Sequence, residues 1–168
     1  MKKLQIFICA VIALFYVTSA NAQDNSSNQA VLSAYYGVKN ALIGGDANAT
    51  NVKAKALLGA ISSFQASKLS ANDKAVWAKY ADKLQFDARH ISESNDIEHQ
   101  REHFASLSEN MFAAAKAIKL NTATLYRDYC PMKKSYWLSE TADIQNPYYG
   151  KEMLTCGAVK ETLPASAK

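Results

Sequence analysis

Between Val31 and Ile118, apolar residues return every three or four positions in four successive stretches, and each stretch ends at a stop signal. That spacing is the period of a helix with one buried face, so this part of the chain must pack amphipathic helices against one another. The first stripe is Val31, Leu32, Tyr35, Val38 and Leu42, stopped by Gly44-Gly45. Asp46 or Asn48 can cap a second helix carrying Val52, Ala56, Leu57, Ala60, Ile61 and Phe64. Ser70-Ala71-Asn72-Asp73 resembles a capping box with Asp in place of Glu, and opens a third stripe of Val76, Trp77, Tyr80, Leu84, Ala88 and Ile91. Ser94 caps a fourth with Ile97, Phe104, Leu107, Met111, Ala115 and Ile118 on its inner face. Short loops between such helices give an all-α fold, an up-down four-helix bundle.

The N-terminus reads as a secretion signal. Lys2 and Lys3 precede an apolar run from Leu4 to Thr18, and Ala20-Asn21-Ala22 is an A-x-A cleavage site. The expected division is a cleaved signal peptide at 1–22, a flexible lead-in at 23–30, a single helical domain at 31–163 and a disordered tail at 164–168. Such a signal is expected to direct the chain to the periplasm, although an extracellular destination uses the same signal, and to leave no membrane span after cleavage. Without Lys2 and Lys3 the formal net charge falls from +4 to +2, and no basic block stands out, so nucleic acid is not an expected partner.

After Thr122 the helical period is lost. Leu125 and Tyr136-Trp137-Leu138 suit short extended pieces, Pro131 and Pro147 interrupt regular structure, and Lys151 to Thr155 suits a short helix ended by Gly157. The expectation is an irregular C-terminal cap on the bundle, and it holds Cys130 and Cys156, the two cysteines beyond the signal. Cys130 and Met132 share a side in an extended segment, and Met153 and Cys156 share a face on a helical turn. Thiolate and thioether are soft donors that select Cu(I) over calcium, magnesium or manganese. An even cysteine pair in an oxidising compartment equally fits a structural disulfide, worth about 3.5 kcal/mol for a loop of this length.

Tyr129-Cys130-Pro131-Met132, Trp137-Leu138-Ser139, Asn146-Pro147-Tyr148-Tyr149-Gly150 and Met153-Leu154-Thr155-Cys156-Gly157 resemble the bacterial family called domain of unknown function 3347. Arg101-x-x-Phe104-x-x-Leu107-Ser108-Glu109 is similar to that family's last long helix, and the resemblance runs from about Val31 to Leu163. Such domains stand alone behind a signal peptide or are fused to periplasmic adaptor subunits of heavy-metal efflux pumps, which implies metal handling by context. Cys130-Pro131-Met132 also resembles the Tyr-x-Cys-Pro-Met-His-Pro motif of heavy-metal-binding domains. Lys133 and Lys134 replace that motif's histidine and proline, so only Cys130 and Met132 carry over.

The resulting expectation is a small periplasmic metal-binding protein, a Cu(I) carrier or buffer beside an efflux system, with Cys130, Met132, Met153 and Cys156 as ligands and Trp137 and Tyr149 as site cover. The alternative is a non-catalytic interaction module stapled by a Cys130–Cys156 disulfide. No Gly-x-Ser-x-Gly, Cys-x-x-Cys or Cys-x-x-Cys-His occurs, so no hydrolase, thiol oxidoreductase or haem chemistry is expected. His99 and His103 stand four apart on the fourth helix, a metal-holding spacing, but at about 100° per residue they fall away from the Ile97-Phe104-Met111 stripe and are expected in solvent. Asp87-x-x-His90 and Asp96-x-x-His99 echo the carboxylate–histidine pairs of di-iron bundles, with Asp for Glu and without inward-facing glutamates.

Overall fold

A computed structural model describes residues 20–166. Among the described residues four helices come first: α1 (Ala20–Gly44), α2 (Ala47–Ser62), α3 (Ala71–Glu93) and α4 (Ile97–Ile118). Strands β1 (Leu125–Cys130), β2 (Ser135–Ser139) and β3 (Ala158–Leu163) follow, with single 3₁₀ turns at Ala66–Lys68 and Gly150–Glu152. Each helix packs on its predecessor, and α4 also carries β2. No helix among the described residues is long and apolar enough to cross a membrane. The proposed signal segment lies mainly outside the described residues. Residues 23–30, expected to be a flexible lead-in, belong to α1.

Local chemistry sets the helix ends. Gly45, at φ +73°, takes the left-handed turn after α1, and the Asp46 carboxylate accepts the Ala49 N–H at 2.9 Å to start α2. Ser70 Oγ accepts the Asp73 N–H at 3.1 Å at the head of α3. The fourth helix is capped by Asp96, not Ser94: Asp96 Oδ1 accepts the Glu98 N–H at 2.9 Å, while Ser94 Oγ takes the N–H of Asp96 itself. The core follows the expected stripes of α1, α3 and α4, with Tyr35, Leu42, Leu84, Ile91, Phe104 and Leu107 fully buried, but Val76, Tyr80 and Ile97 are only partly buried at its margin. On α2 the burial falls on Ala54, Leu57 and Ile61, whereas Val52 and Ala56 face solvent.

The all-α expectation does not hold. In place of an irregular cap with loose extended pieces there is a three-stranded antiparallel sheet in the order β2-β1-β3. β1 and β2 form a hairpin across Pro131–Lys134, paired from Tyr126↔Ser139 to Cys130↔Ser135. β3 returns on the other edge of β1, with Leu125↔Leu163 and Tyr129↔Ala158 in register and a bulge between Arg127 and Asp128. The expected disordered tail is also tied in as far as the structure describes it. Asn121 Nδ2 donates to Pro164 O at 2.8 Å, and its carbonyl accepts the Ser166 N–H at 3.1 Å.

One hydroxyl joins sheet to helices. Ser108 Oγ donates to Phe104 O at 2.7 Å, so its own hydrogen is committed. The Tyr35 hydroxyl therefore donates to Ser108 Oγ at 2.7 Å, and its oxygen accepts the Leu138 N–H of β2 at 3.0 Å. Arg127 of β1 adds an ion pair with Glu109 at 2.7 Å and lies over the rings of Phe112 and Tyr136.

Candidate functional site

The cysteine-bearing segments converge because β1 is the central strand. Cys130 ends it, and the register that places Tyr129 opposite Ala158 brings the 153–157 segment alongside. Cys130 is fully buried, and its Sγ accepts the Asn146 side-chain N–H at 3.1 Å and the Lys133 backbone N–H at 3.4 Å. The same Asn146 Nδ2 donates to the Cys156 carbonyl at 2.7 Å. Asn146 is itself fully buried, and its Oδ1 accepts the Tyr148 N–H at 2.8 Å. One amide thus knots together the turn at residues 146–150 and both cysteines. Both are free thiols, Cys130 buried and Cys156 partly exposed.

The methionines stand differently. Met132 sits in the β1–β2 turn at 60% exposure, and Met153, after the second 3₁₀ turn, is 38% exposed. They flank the cysteines in sequence, but both are exposed residues. Trp137 is fully buried, and a Cβ on Gly157 would come within 2.7 Å of its ring, so only glycine lets the Cys156 segment lie against it. Tyr149 is partly buried, while Tyr148 beneath it is fully packed and donates to the Tyr136 carbonyl. Burial, more than nearby Glu109 and Cys130, raises the Tyr148 hydroxyl above the usual phenol range.

Two residues before Cys130, Asp128 is fully buried on β1 and no hydrogen bond reaches either carboxylate oxygen. Burial pushes it up to about 6, against the smaller opposing influence of Ser139 and Lys39. The Ser139 hydroxyl is near enough to act on the charge without meeting hydrogen-bond geometry. Lys39 is held instead by Glu140, at 2.7 Å.

The histidines correct the sequence reading most sharply. His99 and His103 are partly buried rather than solvated, and His90 of α3 joins them. One ligand atom from each of the three lies within 4.8 Å of those of the other two. His90 stacks on His103 with ring centroids 4.5 Å apart, and His99 meets His103 edge-on at 4.7 Å. Asp87 does engage a histidine, but the partner is His103 across the helix pair, Nδ1 to Oδ1 at 3.0 Å, not His90 on its own helix. Asp96, the other carboxylate of those paired motifs, is spent on capping α4. The stripe of a single helix gives the direction of the core, but not the direction of the next helix. His99 and His103 point away from the first and toward the second.

No curated protein and no solved structure matched the chain. A family model, described as a protein of unknown function (DUF3347), matches residues 31–123, taking in the described helices from Val31 onward and stopping before β1. With more than half of its length matched, helix hairpin and histidines included, the chain belongs to the DUF3347 family.

Proposed function

We propose that this is a small exported metal-binding protein, a Cu(I) carrier or buffer of the periplasm that works beside an adaptor or other component of a heavy-metal efflux system. The observation that carries the reading is that the single amide of Asn146 donates both to the Cys130 thiol and to the backbone carbonyl of Cys156, so the segments bearing the two free cysteines lie side by side. Two thiolates make a soft donor pair suited to Cu(I). Met132 and Met153, close to the cysteines in sequence and exposed, would receive or pass on the ion rather than bury it. Cys130 is closed to solvent, so loading requires the 153–157 segment to shift, and Cys156 is the outer of the two thiols. The test is a competition titration of the reduced protein against a Cu(I) chelator. About one Cu(I) should bind, Cys130→Ser and Cys156→Ser should each weaken uptake strongly, and Met132→Leu/Met153→Leu should weaken it less. Absence of uptake by the reduced wild type would overturn the copper reading.

The same convergence supports a second reading, a non-catalytic interaction module in which Cys130 and Cys156 form a permanent staple. Full burial of Cys130 favours it. Thiol trapping of protein taken directly from the periplasm separates the two. A carrier has thiols that react, Cys156 first, whereas a staple has none until it is reduced.

A further inference from the structure

The turn between α3 and α4 is an antiparallel hairpin of helices, and residues equally far from it face one another. His90, one turn before the end of α3, meets His99 in the first turn of α4, and Asp87, one turn further back, meets His103, one turn further on. We infer that His90, His99 and His103 form a binding site for a divalent transition-metal ion of the zinc class, independent of the cysteines. Imidazole nitrogen is the donor such ions share, and three of them leave a further coordination position to water or an anion. At a metal–nitrogen distance of about 2.1 Å, tetrahedral ligand atoms stand about 3.4 Å apart, so ligand atoms now within 4.8 Å of one another must close by up to about 1.4 Å. Side-chain rotation supplies that, because all three rings are partly exposed.

Three features mark the cluster as more than aromatic packing. The first is Asp87, only 3% exposed, whose carboxylate takes His103 Nδ1 and leaves Nε2 free to ligate. A carboxylate behind a histidine fixes its tautomer and ring plane, as it does behind metal-bound histidines generally. The second is access. A surface cavity of about 380 Å³ on α3, lined by Asp82, Gln85, Phe86 and Arg89, has one of the three histidines, His90, in its wall. Phe86, 56% exposed, lies 4.4 Å from the His90 ring and covers it without sealing it. The third is a braced hairpin. Fully buried Gln100, next to His99, has its Nε2 within 2.6 Å of Ser94 O and 3.0 Å of Ala47 O, tying the turn to the head of α2.

The test is titration of the purified metal-free protein with Co(II) as an optical probe, followed by displacement with Zn(II). One equivalent of Co(II) should bind with the visible absorption of a low-coordinate nitrogen site, and Zn(II) should displace it. His99→Ala, His103→Ala and His90→Phe should each lose that binding. His90→Phe retains a ring in the stack, so its loss reports the nitrogen and not the packing, with circular dichroism checking each fold. Asp87→Asn should keep the one-to-one stoichiometry, bind about 10–100-fold more weakly, and change the ¹⁵N shifts of His103 in the Zn(II) form. Unchanged affinity and shifts would remove Asp87 as a positioning residue. Cys130→Ser and Cys156→Ser should leave Co(II) binding intact, and the histidine variants should leave Cu(I) uptake intact, so the two sites stand or fall separately. A near-ultraviolet thiolate-to-cobalt band, no uptake by the wild type, or full uptake by folded His90→Phe would overturn the site.

Discussion

Asp128 shows how a single side chain can be read for its energetic cost. A carboxyl group buried on a central strand without a hydrogen-bond donor resists ionisation, and its pKa is pushed up to about 6. The folded protein then holds a proton that the unfolded chain has released, between about pH 4 and about pH 6. In that window the folded state binds more protons, so this group's contribution makes stability fall as pH rises, and the loss is complete above the folded pKa. Asp128→Asn removes the ionisation while nearly keeping the shape. It should therefore stabilise the metal-free protein at pH 7.5 by about 1–3 kcal/mol and have little effect at pH 4. Denaturant unfolding of both proteins at the two pH values measures this as a difference, in which other carboxylates cancel. An equal effect at both values would mean that Asp128 does not carry the proton. Nothing in the sequence marks Asp128, since its burial depends on strand pairing and on the segment that returns after Ser139.

At the scale of elements, the helices were legible because a 3.6-residue period repeated over four turns or more is hard to imitate. Phe104, Leu107, Met111, Ala115 and Ile118 were read as one face of α4, and they are buried. The sheet was not legible, for three reasons. Polar Arg127 and Asp128 break the apolar alternation of β1, exposed β3 has none, and β3 pairs across the 140–157 loop rather than through a hairpin turn. The candidate site divides along the same line. A shared site at Cys130 and Cys156 was expected from residue type and spacing, and the structure brings the two segments together on Asn146, whereas the histidine cluster depended on how two helices dock. The joint between the two halves can be tested at Tyr35. Tyr35→Phe removes the acceptor of the buried Leu138 N–H and the donor to Ser108 while leaving the ring stacked on Phe104, centroids 5.2 Å apart. An unsatisfied buried N–H should cost about 1–3 kcal/mol, seen as a lower denaturant midpoint with an unchanged slope. Hydrogen exchange should locate the effect, with faster exchange at Leu138 and its β1 partner Arg127 than at α2. Uniformly faster exchange, α2 included, would mean that sheet and helices do not have separable stabilities.

For the whole molecule, helices and sheet offer two donor sets of different character: imidazoles at the α3–α4 turn and sulfurs at the end of β1. The histidine set braces two helices that meet at a three-residue turn, so an ion there links elements that the chain already joins only briefly. Binding to the folded state alone raises stability by mass action, by about 2.7 kcal/mol when free ion stands at a hundredfold excess over its dissociation constant. For a chain of this length that corresponds to a rise in Tm of roughly 5–10 °C. Zn(II) should give this rise in the wild type and in the reduced Cys130→Ser and Cys156→Ser variants, measured against each protein's own metal-free Tm. It should give none in His103→Ala, which loses both a ligand and the contact with Asp87. Because the histidine hairpin lies wholly within the family match and the sulfurs lie outside it, the thermal shift also asks whether a divalent ion is held inside or outside the matched region. A Zn(II) shift that persists in His103→Ala but disappears in the cysteine variants would assign the divalent ion to the sulfurs and leave the histidines as packing.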